Sequence, residues 1–180
     1  KQYREQCDYR LLGQKEERRG NRGYAIERWL HYAEACFDEQ PETSLYCYER
    51  ALNLWEPLLD TTYDRSTGAF IRNIFCKVDI NEKQKNFVEA SRELERIEKL
   101  LQSYRASDII ANWQIDSEGI VKSLAQRWEE CQSPSRACRA WMLQVLLLAE
   151  KKDVRCTILP ELMTYDKGQL QKCFIERLQR

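Results

Sequence analysis

The apolar residues of this 180-residue chain recur at steps of three and four, and this spacing limits its fold more than any other feature. Residues spaced in this way lie on one face of an α-helix. Ile26, Trp29, Ala33 and Phe37 show the pattern, which returns in later stretches. No window shows the apolar–polar alternation of a strand between turn signals. The sequence therefore predicts an all-α fold of seven or eight helices, stacked as antiparallel hairpins in an irregular α-solenoid or a helical bundle.

Turn residues divide the predicted helices. The break at Gly20–Gly23 closes a first helix, and Gln40–Pro41 separates the next two. Asp64–Gly68 supplies turn and N-cap residues, whereas Asp79–Lys85 is predicted to be a polar connector. Ser133–Pro134 opens a late helix, with the serine as N-cap and the proline at the first helical position.

The charge balance argues against a polyanion-binding domain. Lys and Arg number 29, as do Asp and Glu, so the chain lacks the overall positive field that accompanies nucleic-acid or anionic-membrane binding. Its longest apolar run, Ala140–Ala149, is about half the length that a membrane-spanning helix needs. We expect a folded intracellular domain, cytoplasmic or nuclear and without membrane contact. Because it starts at Lys1 and ends at Arg180 within a helical pattern, we expect it to be part of a longer protein.

The eight cysteines do not form a metal-binding pattern. No two are closer than seven residues, so no Cys-x-x-Cys zinc pair exists. Small secreted disulfide scaffolds carry denser cysteines and more Gly and Pro than this chain. We expect reduced cysteines that pack as small hydrophobic residues.

One stretch carries a repeat-like order of residue sizes. Trp29, Leu30 and Tyr32–Ala33 precede a small residue, Ser44, and three further positions complete the order: Tyr48, Ala51 and Pro57. Residues 29–57 thereby resemble a tetratricopeptide repeat. A second, weaker unit runs over residues 69–101, with the corresponding small, large and medium positions at Ala90, Leu94 and Ile97.

This resemblance implies a non-enzymatic adaptor or scaffold. Stacked hairpins of that family form a concave surface that takes a peptide or a partner helix. We accordingly divide the chain into a basic N-terminal helix or arm (1–22), tetratricopeptide-like hairpins (23–105) and a C-terminal helical bundle packed on them (106–180). A regulatory protein–protein interaction is the expected role.

Acidic residues single out a candidate partner-binding surface. Residues 27–60 hold eight acids and two bases; Glu27, His31 and Glu34 can share one helix face, and Asp38 is a further candidate in the same acidic hairpin. The expected partner is a protein, such as a basic peptide or helix or another copy of this chain. Ordinary solubilising charge is the alternative interpretation of these acids.

Two tryptophans near predicted helix ends, Trp55 and Trp113, are candidate interface anchors. Core packing is the alternative role for both.

The sequence offers no constellation for catalysis. Di-metal helical bundles need a Glu-x-x-His pair from each of two facing helices, and His31 is the only histidine. No phosphate-binding glycine loop and no hydrolase, metalloprotease or kinase motif occurs. We therefore predict no enzymatic activity, no cofactor and no metal.

A nucleic-acid-associated regulatory domain is the alternative function. Arg18, Arg19 and Arg22 form the densest basic part of the N-terminal segment, with Tyr3, Tyr9 and Tyr24 as stacking rings. No nucleic-acid-binding signature accompanies them, so nucleic acid is the less favoured partner.

Overall fold

The computed structural model describes residues 2–104, 106–112 and 118–141, and these residues confirm the all-α prediction: they form helices and no strand. In chain order the helices are α1 (Gln2–Arg18), α2 (Arg22–Cys36), α3 (Pro41–Trp55), a single 3-10 turn (Glu56–Leu58), α4 (Arg65–Lys83), α5 (Phe87–Ser103), α6 (Ala106–Ala111) and α7 (Glu118–Glu130). Residues 134–141 are helical as well, following the predicted Ser133–Pro134 start.

Local chemistry explains where several helices begin and end. Gly20 has a φ of +76°, a left-handed conformation that glycine adopts without steric cost, and it reverses the chain between α1 and α2. Pro41 occupies the first turn of α3, where its missing N–H costs nothing. Asp64 precedes α4, and its Oδ1 accepts hydrogen bonds from the Thr67 backbone N–H (2.8 Å) and hydroxyl (3.0 Å). These contacts satisfy donors that a helix start leaves open.

The predicted polar connector Asp79–Lys85 is mostly helical, so that prediction was wrong. α4 continues to Lys83 because Ile80 is buried in the core and the Asn81 side chain donates to the Lys77 carbonyl of its own helix (2.9 Å). The helix ends when Asn86 N–H donates to the Asn81 carbonyl (2.8 Å) and Lys85 takes a positive φ of 59°. Polar composition misled the prediction, because one buried isoleucine extended the helix by a turn.

The chain divides into two compact units. The first comprises Lys1–Thr61 and Ala69–Glu93. In it α2 packs against both α1 and α3. Its core is built from residues of α2, α3 and α4: Ala25, Ile26, Trp29, Tyr32, Ala33, Cys36, Cys47, Tyr48, Ala51 and Ile80.

The second unit comprises Thr62–Gly68 and Leu94–Arg180. α7 contributes a buried face that ends at Trp128. Before α4, the Tyr63 ring meets the Tyr104 ring edge-on at 5.6 Å, and the Tyr63 carbonyl accepts a hydrogen bond from Asn112 Nδ2 (3.0 Å). The sequence-based division at residues 22 and 105 stays a prediction.

Within the described part of the chain, no helix is both long enough and apolar enough to cross a membrane.

Candidate functional site

The α2–α3 hairpin is built on small residues at the contact between its helices. Ala33, Ser44 and Ala51 have no solvent exposure, and the Ser44 hydroxyl donates to the Ala33 carbonyl at 2.7 Å. Trp29 and Tyr48 fill the adjacent space and are buried. The hairpin thus places small and aromatic residues as the size order suggested. The tetratricopeptide resemblance itself stays a prediction.

Helix α1 is fixed to this hairpin through Gly13 and Glu17. A Cβ atom on Gly13 would lie 3.1 Å from the Trp29 ring, so only glycine allows this approach without displacement. The Trp29 indole N–H and the Arg50 guanidinium both donate to the Glu17 carboxylate. One carboxylate therefore connects α1 to α2 and α3.

The outer face of α2 carries a row of exposed polar side chains, hereafter the acidic row: Glu27, His31 and Glu34. The His31 Nε2 lies 3.6 Å from Glu27 Oε1, and its Nδ1 lies 3.9 Å from Glu34 Oε2. Both contacts become ion pairs only when the imidazole is protonated. The Tyr9 ring of α1 lies 5.6 Å from the His31 ring, and Tyr24 is exposed one turn before Glu27.

Asp38, the further acidic candidate for partner binding, is exposed but engaged elsewhere. Its Oδ1 lies 3.0 Å from the Lys83 ammonium of α4, which also lies 4.4 Å above the Phe37 ring. Glu49 of α3 is likewise bound by Lys77 of α4. The acidic surplus of residues 27–60 is thus partly neutralised by lysines far along the chain. In contrast, Glu27 and Glu34 have no Lys or Arg partner among the described residues.

The candidate tryptophan anchors cannot both be placed. Trp55 is half-buried, packs against the core of the first unit and meets the Phe70 ring edge-on at 5.9 Å. This geometry fits core packing with one exposed side. Trp113 lies outside the described residues.

The three candidate arginines surround the α1–α2 turn and are exposed. Arg18 ends α1 and Arg22 begins α2, whereas Arg19, in the turn, binds Glu16 of α1 at 3.1 Å. Asn21 donates to the same carboxylate at 2.6 Å. The hydrogen bond from Asn21 lowers the pKa of Glu16 against the opposing effect of burial, and the charge of Arg19 lowers it further, which keeps Glu16 ionised. Arg19 is therefore already paired with an acidic residue.

Sequence reasoning missed an apolar part of the same helix. Leu11 and Leu12 of α1 are 63% and 38% exposed. The adjacent leucine pair in a strongly charged helix was the available signal. Two neighbouring leucines do not show the three- and four-residue steps of a core face, so helical periodicity does not identify them.

Two buried thiols of the first unit, Cys36 and Cys47, are suited to packing and not to nucleophilic chemistry. Burial raises the pKa of Cys47 to about 12, and it raises the pKa of Cys36 as well. The reactive form of cysteine is the thiolate, which such sites disfavour at neutral pH. In the described ranges, no group of three His, Cys, Asp or Glu side chains is arranged to hold a metal ion.

No protein-family model, no curated protein and no solved structure matches this chain. Its function is therefore inferred from its own geometry.

Proposed function

We propose that this chain is a non-enzymatic protein-interaction domain that binds a basic peptide or helix through the acidic row on α2. The supporting observation is the row itself. Glu27, His31 and Glu34 are exposed at steps of four and three residues, and the two carboxylates lack a Lys or Arg partner among the described residues. In contrast, the carboxylates of Asp38 and Glu49 are matched with lysines of α4.

The spacing of the row defines the partner. Glu27 and Glu34 are seven residues apart on one helix, which places them about 10 Å apart along its axis. A segment with two cations at similar separation, as on one face of a helix, can reach both carboxylates together. Charge complementarity of this kind contributes more to specificity and association rate than to affinity. The exposed ring of Tyr24 extends the row with an apolar contact.

The tetratricopeptide resemblance supports the same role. In that family, helical hairpins present a surface to a peptide or helix, and the first helix of each pair sets specificity. Here α2 is the first helix of its pair, and the acidic row lies on it. The proposed adaptor or scaffold function therefore agrees with the place of the row in the hairpin.

A random peptide display library, with the purified chain as bait, tests this proposal. We expect enrichment of peptides with Lys or Arg at three- to four-residue or seven-residue spacing. Glu34→Lys should raise the Kd of selected peptides about tenfold or more, since it replaces attraction by repulsion. Glu130→Lys on α7, an exposed position, is the matched control with the same change in net charge.

Two results would contradict the proposal. One is a selected peptide set without excess Lys or Arg. The other is an equal effect of Glu34→Lys and Glu130→Lys on the measured Kd, which would reduce the acidic row to general surface charge.

The nucleic-acid alternative has weaker support. Arg18 and Arg22 are exposed on both sides of a turn, but Arg19 between them is paired with Glu16. A single-stranded 30-nucleotide probe would test it: binding that falls steeply with salt and disappears in Arg18→Glu/Arg22→Glu would favour this alternative.

A further inference from the structure

The outward face of α1 combines exposed leucines with cations. Leu11, Lys15 and Arg18 follow one another at steps of four and three residues, Leu12 lies beside them on the same arc of the helix, and Arg19 directly follows the end of α1. All five are exposed. The opposite side of α1 is the one that packs, since Gly13 and Glu17 contact Trp29. The five residues are referred to as the α1 outer face.

Apolar exposure at this place is not explained by the packing of the first unit. Single exposed hydrophobic residues are common, but two adjacent leucines surrounded by cations form a patch with the composition of an interface. Burying this apolar area contributes about 25 cal/mol per Å². Lys15 and Arg18 have no ion pair with any residue in the described ranges, so their charge is available to a partner.

The same chain carries a surface complementary to this face. The acidic row presents the opposite charge through the carboxylates of Glu27 and Glu34, and Tyr24 supplies an apolar ring at its start. Within one copy the two surfaces do not pair, because α1 and α2 pack through Gly13 and Trp29 on their inner sides. The cations of one copy can therefore meet the carboxylates of another.

We infer that the α1 outer face binds the acidic row of a second copy of this chain. The inference rests on the proposed function, since it names the partner of the same acidic row. The two contacting surfaces differ, so the interface is heterologous. The dimer keeps one free surface of each kind, and assembly therefore continues beyond the dimer unless a ring closes.

Sedimentation velocity of the full 180-residue chain over a wide concentration range tests this inference. We expect the weight-average sedimentation coefficient of the unchanged chain to rise with concentration, and to rise less at high salt. Lys15→Glu/Arg18→Glu and Glu27→Lys/Glu34→Lys should each weaken association about tenfold or more. Lys99→Glu/Lys122→Glu, at exposed positions of the second unit, is the control with matched charge change.

Mixing the two variants gives the sharpest result. In the mixture the unchanged α1 outer face of one variant meets the unchanged acidic row of the other, and the two reversed surfaces also meet as opposite charges, so association should return toward that of the unchanged chain. A variant that failed to fold could not restore this association. Circular dichroism of each variant checks that helical content is unchanged.

Three outcomes would overturn the inference. A chain that stays monomeric at every concentration excludes self-association. If the chain stays monomeric but still binds selected basic peptides in a Glu34-dependent manner, the inference is excluded and the proposed function is kept. If neither self-association nor peptide binding is found, both proposals are excluded. Self-association that survives in the two variants also excludes the pairing. Retention of a single-stranded DNA probe that depends on Lys15 and Arg18, with self-association unaffected, would reassign the face to nucleic acid.

Discussion

The Ser44 hydroxyl donates a hydrogen bond to the Ala33 carbonyl at 2.7 Å, and neither residue is exposed to solvent. The bond joins α3 to α2 in the hairpin that bears the acidic row. A buried donor without a partner costs free energy, so the contact fixes both the distance and the register of the helices.

Replacing Ser44 tests this contact. Ser44→Ala removes the hydrogen bond without adding volume, and we expect the free energy of unfolding to fall by about 1 kcal/mol. Ser44→Val adds bulk against Ala33 and should lower it by about 2 kcal/mol. Urea denaturation followed by circular dichroism measures both. Equal stability of Ser44→Val and the unchanged chain would show that the helices are not held at close approach.

Substitution of Gly13 tests the docking of α1. Gly→Ala at an open helical position stabilises by about 1 kcal/mol. At Gly13 the new methyl group would meet the Trp29 ring at 3.1 Å, and that ring is buried and bound by Glu17. We therefore expect Gly13→Ala to be less stable than Gly23→Ala by at least about 1 kcal/mol, since nothing lies within 4 Å of a Cβ at Gly23. Thermal denaturation compares the two; matching melting temperatures would contradict the close contact.

Lys77 provides a buried cation between two helices. Its side chain is 8% exposed and binds Glu49 of α3 and Glu93 of α5. Lys77→Met removes the cation that the two carboxylates share. We expect the free energy of unfolding to fall by about 3 kcal/mol, because removing one partner of a buried ion pair is strongly destabilising. Chemical denaturation measures the loss.

Lys83→Met is the matched control for that experiment. Its ammonium binds Asp38 with both side chains exposed, and such a pair contributes less than about 1 kcal/mol. Adding Glu49→Gln and Glu93→Gln to Lys77→Met should recover part of the lost stability. Equal losses from Lys77→Met and Lys83→Met would mean that burial does not strengthen the pairing.

Glu98 makes the stability of the second unit depend on pH. Burial raises the pKa of Glu98, against the opposing effect of Arg136, Arg139 and the Trp128 side chain. Because the unfolded chain loses this proton at the lower, ordinary pKa, the ionised group reduces stability as pH rises from that value to the raised one. Below the ordinary glutamate pKa the penalty is absent.

Glu98→Gln should therefore stabilise the protein at neutral pH, and the gain should vanish as pH falls below the ordinary glutamate range. Denaturant titrations at several pH values measure this difference. Glu95→Gln is the control, since its carboxylate binds Arg136 at 2.7 Å and its removal should not stabilise. A stability difference for Glu98→Gln that is constant with pH would contradict the assignment to this group.

The candidate site was only partly accessible to sequence reasoning. The face shared by Glu27, His31 and Glu34 follows from helical periodicity, and the structure places all three side chains on the exposed side of α2. The ion pair of Asp38 with Lys83 joins residues 45 positions apart, and no local sequence pattern predicts this pair. The exposure of Leu11 likewise depends on which side of α1 faces Trp29.

The apolar spacing of the sequence is enough to specify the helices. Gly20, Pro41 and Asp64 specify where several of these helices end or begin. These are interactions within a few residues of the chain, so the local pattern contains them. The extension of α4 through Ile80 depends on tertiary packing. So does the set of acidic and leucine side chains that remain exposed to a partner. Ion pairing and burial depend on side chains that packing brings together. Because these side chains are far apart along the chain, a short stretch of sequence does not reveal their contacts.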